Sequence, residues 1–430
     1  MNSRIAPARR RAMSSMLAAG LALGLGAVAG ACASTTSTTD GHAKVTLVEE
    51  DYYGAPTPTS TAPTYLDAFF AKYHREHPWV TIKRESPVTP NYVTLVLSQI
   101  AAHQQPDLLM TDNPYLDQLA SYGVLEPLRS LGSISTAGYN PGNVVETTYD
   151  GKLYGMPLYT NTIAIFYNKT ILAKGGIKTL PHTWAQFAAD AKKLSSPSHY
   201  GFVFSGQTGP GQATWQFEPW LWSNGGSLTD LTAKPAEQAL SYLAGLTRSG
   251  AAPKAVVNWG QSQPMEEFEA GKAAFCENGS WNIPTLQSQF KKLKWGVIEI
   301  PTRRPGQPVV PPFGGEVWTV PKTTPVKERA AFALLQAMSK TNNLKPLAEG
   351  LSDIPTQTSQ WGRKPWNGPE YTPFYAELRH GRSRTLPPFT TQYPTVDTDV
   401  GNAIQSALLG QKTPAAALAQ AASQVKGLVG

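Results

Sequence analysis

Short apolar segments alternate with amphipathic segments along the first part of the chain. Residues 44–50, 80–83 and 107–110 are short apolar runs of the kind that form buried strands. Between these runs, apolar side chains recur at helical spacing over residues 65–73 and 92–103. Because strands and helices alternate, we predict an α/β protein with a mostly parallel, doubly wound sheet.

The same alternation continues through the rest of the chain. Residues 163–167 form another apolar run, and Thr183 with Gln186 has the spacing of a capping box that opens a helix. A helix over residues 235–248 would end just before Gly250, a residue type favoured past a helix end. Further predicted strands cover residues 295–300 and 317–320, and further predicted helices cover residues 280–290, 325–338, 402–409 and 414–428.

The first 32 residues have the pattern of an export signal. Arginines at positions 4 and 9–11 precede an uncharged run over residues 12–31 that is rich in Ala, Gly and Leu. The run ends at Ala-Gly-Ala-Cys32, which resembles a bacterial lipoprotein signal whose cysteine receives a diacylglycerol. We therefore predict export and anchoring to the outer face of the cell membrane through lipidated Cys32. Cleavage without lipid, and retention as a membrane helix, are the alternatives.

The composition narrows the class of protein. The chain carries 37 basic and 30 acidic residues, and removal of the four signal arginines would leave a net charge of +3. So small and dispersed an excess argues against binding to nucleic acid. With 430 residues and 41% hydrophobic content, the chain exceeds what one core usually carries, so we expect two lobes. Residues 33–44, rich in Ser and Thr, predict a flexible tether.

The cysteines and histidines indicate neither a disulfide framework nor a metal site. The chain has two cysteines, and if Cys32 is acylated, Cys276 has no intramolecular partner. The seven histidines are scattered, and no cysteine pair has the spacing of metal ligands. We therefore predict no metal and no cofactor.

Several motifs in a fixed order resemble those of the extracellular solute-binding proteins of ABC importers, in the sugar-binding branch that includes maltose-binding protein. The first is Tyr149-Asp-Gly-Lys-Leu-Tyr-Gly-Met-Pro-Leu-Tyr159, followed by Ile165-Phe-Tyr-Asn-Lys169. The resemblance covers nearly the whole mature chain. The later motifs are residues 268–281, 296–301, the pair Gly314-Gly315, Val320-Pro321-Lys322, residues 407–410, Thr413-Pro and Ala417-Leu418.

The resemblance implies a two-lobe, periplasmic-binding-protein-like fold of type II, with a cleft between lobes joined by hinge segments. We place residues 45–158 and 314–357 in lobe 1, and residues 159–313 and 358–430 in lobe 2. The hinges are expected at residues 159–162 and 312–316. The resemblance further implies a monomer that is not an enzyme. It would capture a di- or oligosaccharide or an amino sugar by lobe closure and deliver it to ABC permease subunits.

The chemistry of a sugar suggests which residues bind it. Ligands of open α/β sheets lie beyond the carboxyl ends of strands, which selects residues 51–53 and 112–113. Sugar hydroxyls need polar partners, and sugar C–H faces need flat apolar surface. Trp281 matches a ligand-stacking position of the family. The predicted ligand-binding residues are Asp51, Tyr52, Asp112, Asn113, Tyr159, Asn161, Trp220, Glu277, Trp281, Gly314, Gly315, Glu316 and Trp361.

Some of these residues have alternative roles. Asp112 could cap the helix that begins near Pro114, and Trp281 could belong to a core. Glu316 could pair with an arginine. Tyr52 and its neighbour Tyr53 point to opposite faces if the chain is extended, so at most one of them should reach the ligand. Trp215 and Trp222, seven residues apart on one helical face, are more typical of core packing, and Trp366 is an alternative to Trp361.

Other functions compete with the sugar receptor. An exported glycoside hydrolase would need two carboxyl groups roughly 5–10 Å apart, and Glu277 with Glu316 could supply them. A receptor for a glycerophosphodiester, a polyamine or a peptide could use the same scaffold. Three predicted carboxylates at the cleft favour a neutral or partly cationic polyol, because they would repel a phosphate.

Overall fold

The structure is a computed structural model that describes residues 38–39, 42–55, 62–87, 92–385 and 389–428. The predicted signal of residues 1–32, with the lipidation site Cys32, lies outside the described residues. Part of the predicted tether is described, and there Thr38–Thr39 pairs with His42–Ala43 as a short antiparallel hairpin. No helix within the described ranges is long and apolar enough to cross a membrane.

The strands alternate with helices as predicted, with additional two-residue strands near the middle of the chain. In chain order the strands are β1 Thr38–Thr39, β2 His42–Ala43, β3 Val45–Glu50, β4 Val80–Glu85, β5 Leu108–Asp112, β6 Thr148–Tyr149, β7 Lys152–Leu153, β8 Gly155–Met156, β9 Tyr159–Thr160, β10 Ile163–Asn168, β11 Tyr200–Val203, β12 Ala273–Gly279, β13 Trp295–Ile298, β14 Glu316–Thr319 and β15 Ile354–Pro355.

The helices follow the amphipathic segments of the sequence. The capping box of Thr183 and Gln186 is present at the start of the helix Trp184–Leu194. In chain order the helices are α1 Ala62–Glu76, α2 Tyr92–Ala101, α3 Asn113–Ser121, α4 Leu128–Leu131, α5 Pro141–Val145, α6 Lys169–Lys174, α7 Trp184–Leu194, α8 Ala213–Ser223, α9 Lys234–Ser249, α10 Ser262–Glu269, α11 Ile283–Gln289, α12 Pro325–Ser339, α13 Thr341–Gly350, α14 Thr372–Leu378, α15 Tyr393–Leu408 and α16 Pro414–Lys426.

Two separate sheets organise the fold. One has the strand order β4-β3-β5-β14-β8 and the other has the order β11-β12-β10-β13. We call the parts of the chain built on these sheets lobe 1 and lobe 2. The lobe 1 sheet draws its strands from residues 45–156 and 316–319, and the lobe 2 sheet draws its strands from residues 163–298. The lobe boundaries inferred from the sequence remain a prediction.

The prediction of mostly parallel strands is correct for only part of each sheet, and in lobe 2 it holds for β11 and β12, which pair in parallel. Strands β3, β4 and β5 are parallel, but β14 runs antiparallel to both β5 and β8. In lobe 2, β10 is antiparallel to both β12 and β13. The physical reason is connectivity: β14 enters the first sheet from the other lobe, whereas parallel neighbours are joined by a helix that crosses over within one lobe.

Three segments run side by side where the chain passes between the sheets. The backbone of Asn161 pairs with that of Gly314, with N–H to carbonyl distances of 2.9 and 3.3 Å. The hydroxyl of Thr162 donates to the carbonyl of Pro312 at 2.8 Å. The Phe313 amide donates to the carbonyl of Arg382 at 3.1 Å, which adds the third segment. Both predicted hinges therefore belong to one hydrogen-bonded crossing.

Gly315 lies in this crossing with a backbone that only glycine adopts easily. Its φ is +104°, and a Cβ atom at this position would lie 2.7 Å from the carbonyl oxygen of Tyr159. Real Cβ atoms do not approach backbone oxygen so closely. The close approach of the two crossing segments therefore depends on the missing side chain.

We expect Gly315→Ala to destabilise the protein by about 3 kcal/mol, because it adds a backbone clash to an unfavourable φ. The matched control is Gly410→Ala, where φ is +72° and no atom lies within 4 Å of the added Cβ. That change should cost about 1 kcal/mol, the cost of a positive φ alone. Urea-induced unfolding measures both values. Equal losses in the two variants would contradict the assigned role of Gly315.

Candidate functional site

A cavity of about 1220 Å³ lies between the lobes. Lobe 1 contributes the loop after β3 and the start of β14, and lobe 2 contributes the first turn of α8 and the segment after β12. The volume exceeds that of most small-molecule sites, which suits a ligand of more than one ring. Its polar and aromatic lining includes Tyr52, Tyr53, Asp112, Asn161, Gln212, Trp215, Gln261, Trp281, Glu316, Asp353 and Arg384.

The lobe 1 wall of the cavity is built around the carboxylate of Glu316. Glu316 begins β14 and lies opposite Asp112, which ends β5. The hydroxyl of Tyr52 donates to Glu316 Oε1 at 2.5 Å, and the hydroxyl of Tyr53 donates to Oε2 at 3.3 Å. The chain bends after β3, so both tyrosines line the cavity and both reach Glu316. The extended chain, from which at most one of them was expected to reach the ligand, is therefore not present after β3.

Asp353 is a second carboxylate of this wall, and no motif in the sequence points to it. It lies between α13 and β15, is only 4% exposed and lines the cavity. The side-chain amide of Asn161 donates to Asp353 Oδ1 at 3.0 Å. We call Glu316, Asp353 and the two tyrosines Tyr52 and Tyr53 the acidic corner.

Burial makes both carboxyl groups of the acidic corner weaker acids than usual. It raises the pKa of Glu316 to about 7, against the lowering effect of the hydrogen bond from Tyr52. Burial, followed by the negative charge of Glu316, raises the pKa of Asp353 well above its usual range. The two groups therefore lie close enough to repel each other when both are ionised.

The lobe 2 wall presents a flat aromatic surface. The rings of Trp215 and Trp281 are stacked, with centroids 5.6 Å apart and planes 12° apart. Trp281 is half-buried and lies just after β12. Trp215 is 5% exposed, so it packs like a core residue, but it also lines the cavity. A sugar C–H face could lie against such a surface.

Arg384 links the two walls. Its guanidinium lies over the Trp215 ring at 5.7 Å and donates to Asp112 Oδ1 at 3.1 Å. Arg384 is 4% exposed, and its backbone N–H donates to the buried carboxylate of Glu146 at 3.3 Å. Asp112 occupies the N-cap position of α3 but makes no capping hydrogen bond. The Asp112 side chain forms the ion pair with Arg384 instead. Glu316, for which an arginine partner is the alternative, accepts hydrogen bonds from tyrosines.

Two predicted residues near the strand ends of lobe 1 lie away from the cavity. Asp51 is fully buried and accepts hydrogen bonds from Arg84 Nε at 2.6 Å and Nη2 at 2.9 Å. Asn113 is buried and donates to Glu146 at 2.5 Å. Both side chains turn inward because each finds a charged partner there, which the strand-end rule does not take into account. We therefore no longer propose either residue as a ligand contact.

Trp220 and Glu277 are hydrogen-bonded to each other inside lobe 2. The indole N–H of Trp220 donates to both carboxylate oxygens of Glu277, at 3.1 and 3.2 Å, and both residues are fully buried. Glu277 does not line the cavity, so it does not face Glu316 across it. The carboxylate pair suggested for a glycoside hydrolase is therefore not formed.

Two predicted aromatic residues lie outside the cavity lining. Tyr159 is 1% exposed, and its hydroxyl lies 2.9 Å from that of Tyr53, so it stands behind the acidic corner. Trp361 packs against Tyr375 and donates to the carbonyl of Pro355 at 2.9 Å. Trp366, the alternative to Trp361, is a buried core residue. The remaining predicted residues, Tyr52, Asp112, Asn161, Trp281, Gly314, Gly315 and Glu316, line the cavity.

Comparison with known proteins identifies the family. The model of the bacterial extracellular solute-binding protein family matches residues 64–361. The chain belongs to this family. A probable ABC transporter-binding protein of Deinococcus radiodurans is 26% identical over 321 residues, which cover 70% of this chain and 75% of that protein. A maltooligosaccharide ABC transporter solute-binding lipoprotein of Streptococcus pneumoniae is 24% identical over 75% of this chain and 76% of that protein.

A solved structure gives the same fold. The maltose-bound MalE3 of T. maritima matches with a TM-score of 0.78 at 22% identity, over 89% of this chain and 99% of that chain. The two-lobe fold predicted from the resemblance is thus confirmed.

Replacing Glu316 with glutamine should make the melting temperature depend less on pH. The carboxyl group of Glu316 keeps its proton up to about pH 7 in the folded protein but loses it near pH 4.5 in the unfolded protein. The wild-type protein should therefore lose stability as the pH rises between these two values. The glutamine variant lacks that contribution. Thermal melts from about pH 4.5 to 8 measure the slope.

The control for this experiment is Glu76→Gln, which removes one carboxylate charge from the exposed end of α1. Its melting profile should follow that of the wild-type protein. If Glu316→Gln kept the full wild-type slope, Glu316 would not be the buried acid that the structure indicates.

Proposed function

We propose that this protein is the substrate-binding component of an ABC carbohydrate importer. It captures a di- or oligosaccharide or an amino sugar between its lobes and presents it to the permease subunits of the importer, acting as a monomer. The observation that carries the proposal is the cavity itself, with stacked Trp215 and Trp281 on one wall and the carboxylates of Glu316, Asp112 and Asp353 on the other. The relative from Streptococcus pneumoniae, named for maltooligosaccharide transport, supports the same class.

The two walls match the two surfaces of a sugar ring. An indole face supports the C–H face of the ring through apolar contact, and carboxylate and amide oxygens accept hydrogen bonds from its hydroxyls. Because the walls belong to different lobes, one ligand can contact both of them. A ligand that touches both lobes favours the closed form, whereas a ligand held by one lobe alone does not. We propose residues 159–162 and 312–316 as the segments about which the lobes rotate.

The charges of the cavity make the alternatives less suitable. Phosphate would face three carboxylates, and Arg384 is already paired with Asp112. A glycerophosphodiester is therefore a poorer match than a sugar. A linear polyamine would use the carboxylates but would leave the stacked indoles without a ring face to contact.

We also propose that the protein is exported and anchored to the outer face of the cell membrane through Cys32. The residues around Cys32 support this, as does the name of the relative from Streptococcus pneumoniae, which is a lipoprotein. The Ser- and Thr-rich segment that follows would hold the lobes away from the membrane surface.

Carbohydrate binding can be tested by thermal shift against maltose, maltotriose, cellobiose and chitobiose. A ligand at 100 times its dissociation constant should stabilise the native state by about 2.7 kcal/mol. Trp281→Ala should remove most of this shift because the ligand loses its stacking surface. The control Trp361→Ala alters an indole outside the cavity lining and should keep the affinity of the wild-type protein. The proposal fails if no carbohydrate raises the melting temperature.

Lipid anchoring can be tested by growing producing cells with an alkyne-labelled fatty acid. The wild-type protein should carry the label and sediment with membranes, and Cys32→Ala should lose both properties. Cys276→Ala is a matched control, because Cys276 is fully buried in β12 and should not affect labelling. Equal labelling of the Cys32→Ala variant would show that the anchor lies elsewhere.

A further inference from the structure

The acidic corner carries two carboxylates without a cation. Glu316 accepts hydrogen bonds from the hydroxyls of Tyr52 and Tyr53, and Asp353 accepts one from the amide of Asn161, so all of these donors are neutral. No ion pair within the described part of the chain involves either carboxylate. The corner therefore places two acids at the cavity with no positive charge to balance them.

Arg384, a cation of the cavity lining, already forms an ion pair outside the acidic corner. Arg384 pairs with Asp112 at 3.1 Å and lies over Trp215. Asp112 is the group that forms an ion pair with Arg384, and no ion pair joins Arg384 to Glu316 or Asp353. Arg384 therefore does not neutralise the acidic corner.

The carboxylate of Asp353 is only partly hydrogen-bonded within the described part of the chain. The residue is 4% exposed, and Asn161 occupies its Oδ1 atom. Among the described residues, none donates a hydrogen bond to Oδ2, although the side chain lines the cavity. This oxygen can accept a hydrogen bond from a ligand donor, which would add to the free energy of binding.

Lobe closure makes the charge imbalance more costly. Water that solvates the two carboxylates is expelled, and their mutual repulsion grows as the local dielectric constant falls. Each hydroxyl of a neutral sugar supplies one donor and no charge. A protonated amine supplies three donors and a positive charge in the same volume. The raised pKa values of Glu316 and Asp353 are consistent with acids that await such a partner.

We propose that the acidic corner binds a protonated amine of the ligand, so that the carbohydrate taken up is an amino sugar or an oligosaccharide with a free amino group. This inference rests on the proposed carbohydrate-binding function and specifies its ligand class. The amine lies against Glu316 and Asp353 in lobe 1, and a sugar ring lies against the indole of Trp281 in lobe 2. The ligand thus contacts both lobes through two different chemistries.

The experiment compares sugars that differ at a single group. Maltose and cellobiose are each tested beside analogues in which one hydroxyl of the terminal ring, at C2, C4 or C6, is replaced by an amine, and beside the same analogues after N-acetylation. Isothermal titration calorimetry at about pH 6.5 measures the dissociation constants, because the amine keeps most of its proton there. The amine that binds best should bind at least roughly tenfold more tightly than the parent sugar and than its own N-acetylated form. The reason is that charge-assisted hydrogen bonds are stronger than neutral ones.

Two variants test the residues assigned to the corner. Glu316→Gln and Asp353→Asn keep the shape of the side chains and remove the charge. Each should therefore weaken binding of the amine much more than binding of the parent sugar, and so abolish most of the preference. Glu76→Gln should keep the preference. Thermal melts confirm that each variant is folded. Titration in two buffers of different ionisation enthalpy should show proton release on amine binding, because the amine favours the ionised carboxylates.

The outcomes separate the two proposals. Parent sugars that bind as tightly as their amines would overturn the amine site and leave the carbohydrate receptor intact. Binding of amines by both charge-removed variants with unchanged preference would also overturn it. Failure of every sugar and every amine to bind would overturn the carbohydrate function and the amine site together.

Discussion

The structure depends on the pairing of backbone segments where the chain passes between its two sheets. Asn161 and Gly314 exchange backbone hydrogen bonds there, and Gly315 allows the segments to approach because it has no side chain. Several residues that line the cavity lie within this crossing or next to it. Asn161 holds Asp353, and Glu316 follows directly after the glycine pair. The crossing therefore fixes the position of the carboxylates, and it is also the segment about which we propose that the lobes rotate.

The acidic residues around the cavity are stabilised in different ways. The carboxylate of Asp112 accepts from the guanidinium of Arg384 and that of Glu146 from its backbone N–H, whereas the side chains that donate to Glu316 in the described part of the chain are two neutral tyrosines. A paired charge can remain buried at modest cost, but an unpaired one keeps a tendency to take up a proton or a cation. The cavity thus combines carboxylates that are paired with Arg384 and carboxylates that have no ion-pair partner among the described residues.

Helix α8 connects the aromatic wall to the core of lobe 2. All of its residues are buried, which is typical of a helix enclosed on every side. Trp220 packs against Phe187 and Phe202 in the core, while Trp215, near the start of the helix, reaches the cavity. The stacking surface is therefore part of a rigid element, so its orientation changes only when the lobe moves as a whole.

The sequence by itself determined the periodic elements, the family and the part of the site carried by motifs. Apolar periodicity located the strands and helices, and ordered motifs placed Trp281, Asn161 and the glycine pair at the cavity. Only the tertiary structure decided which polar residues face the ligand. Asp112 meets Arg384 across 272 positions of the chain, and Glu277 turns toward Trp220 rather than the cavity. Periodicity is a local property, whereas the orientation of a buried charge depends on the partner that folding brings to it.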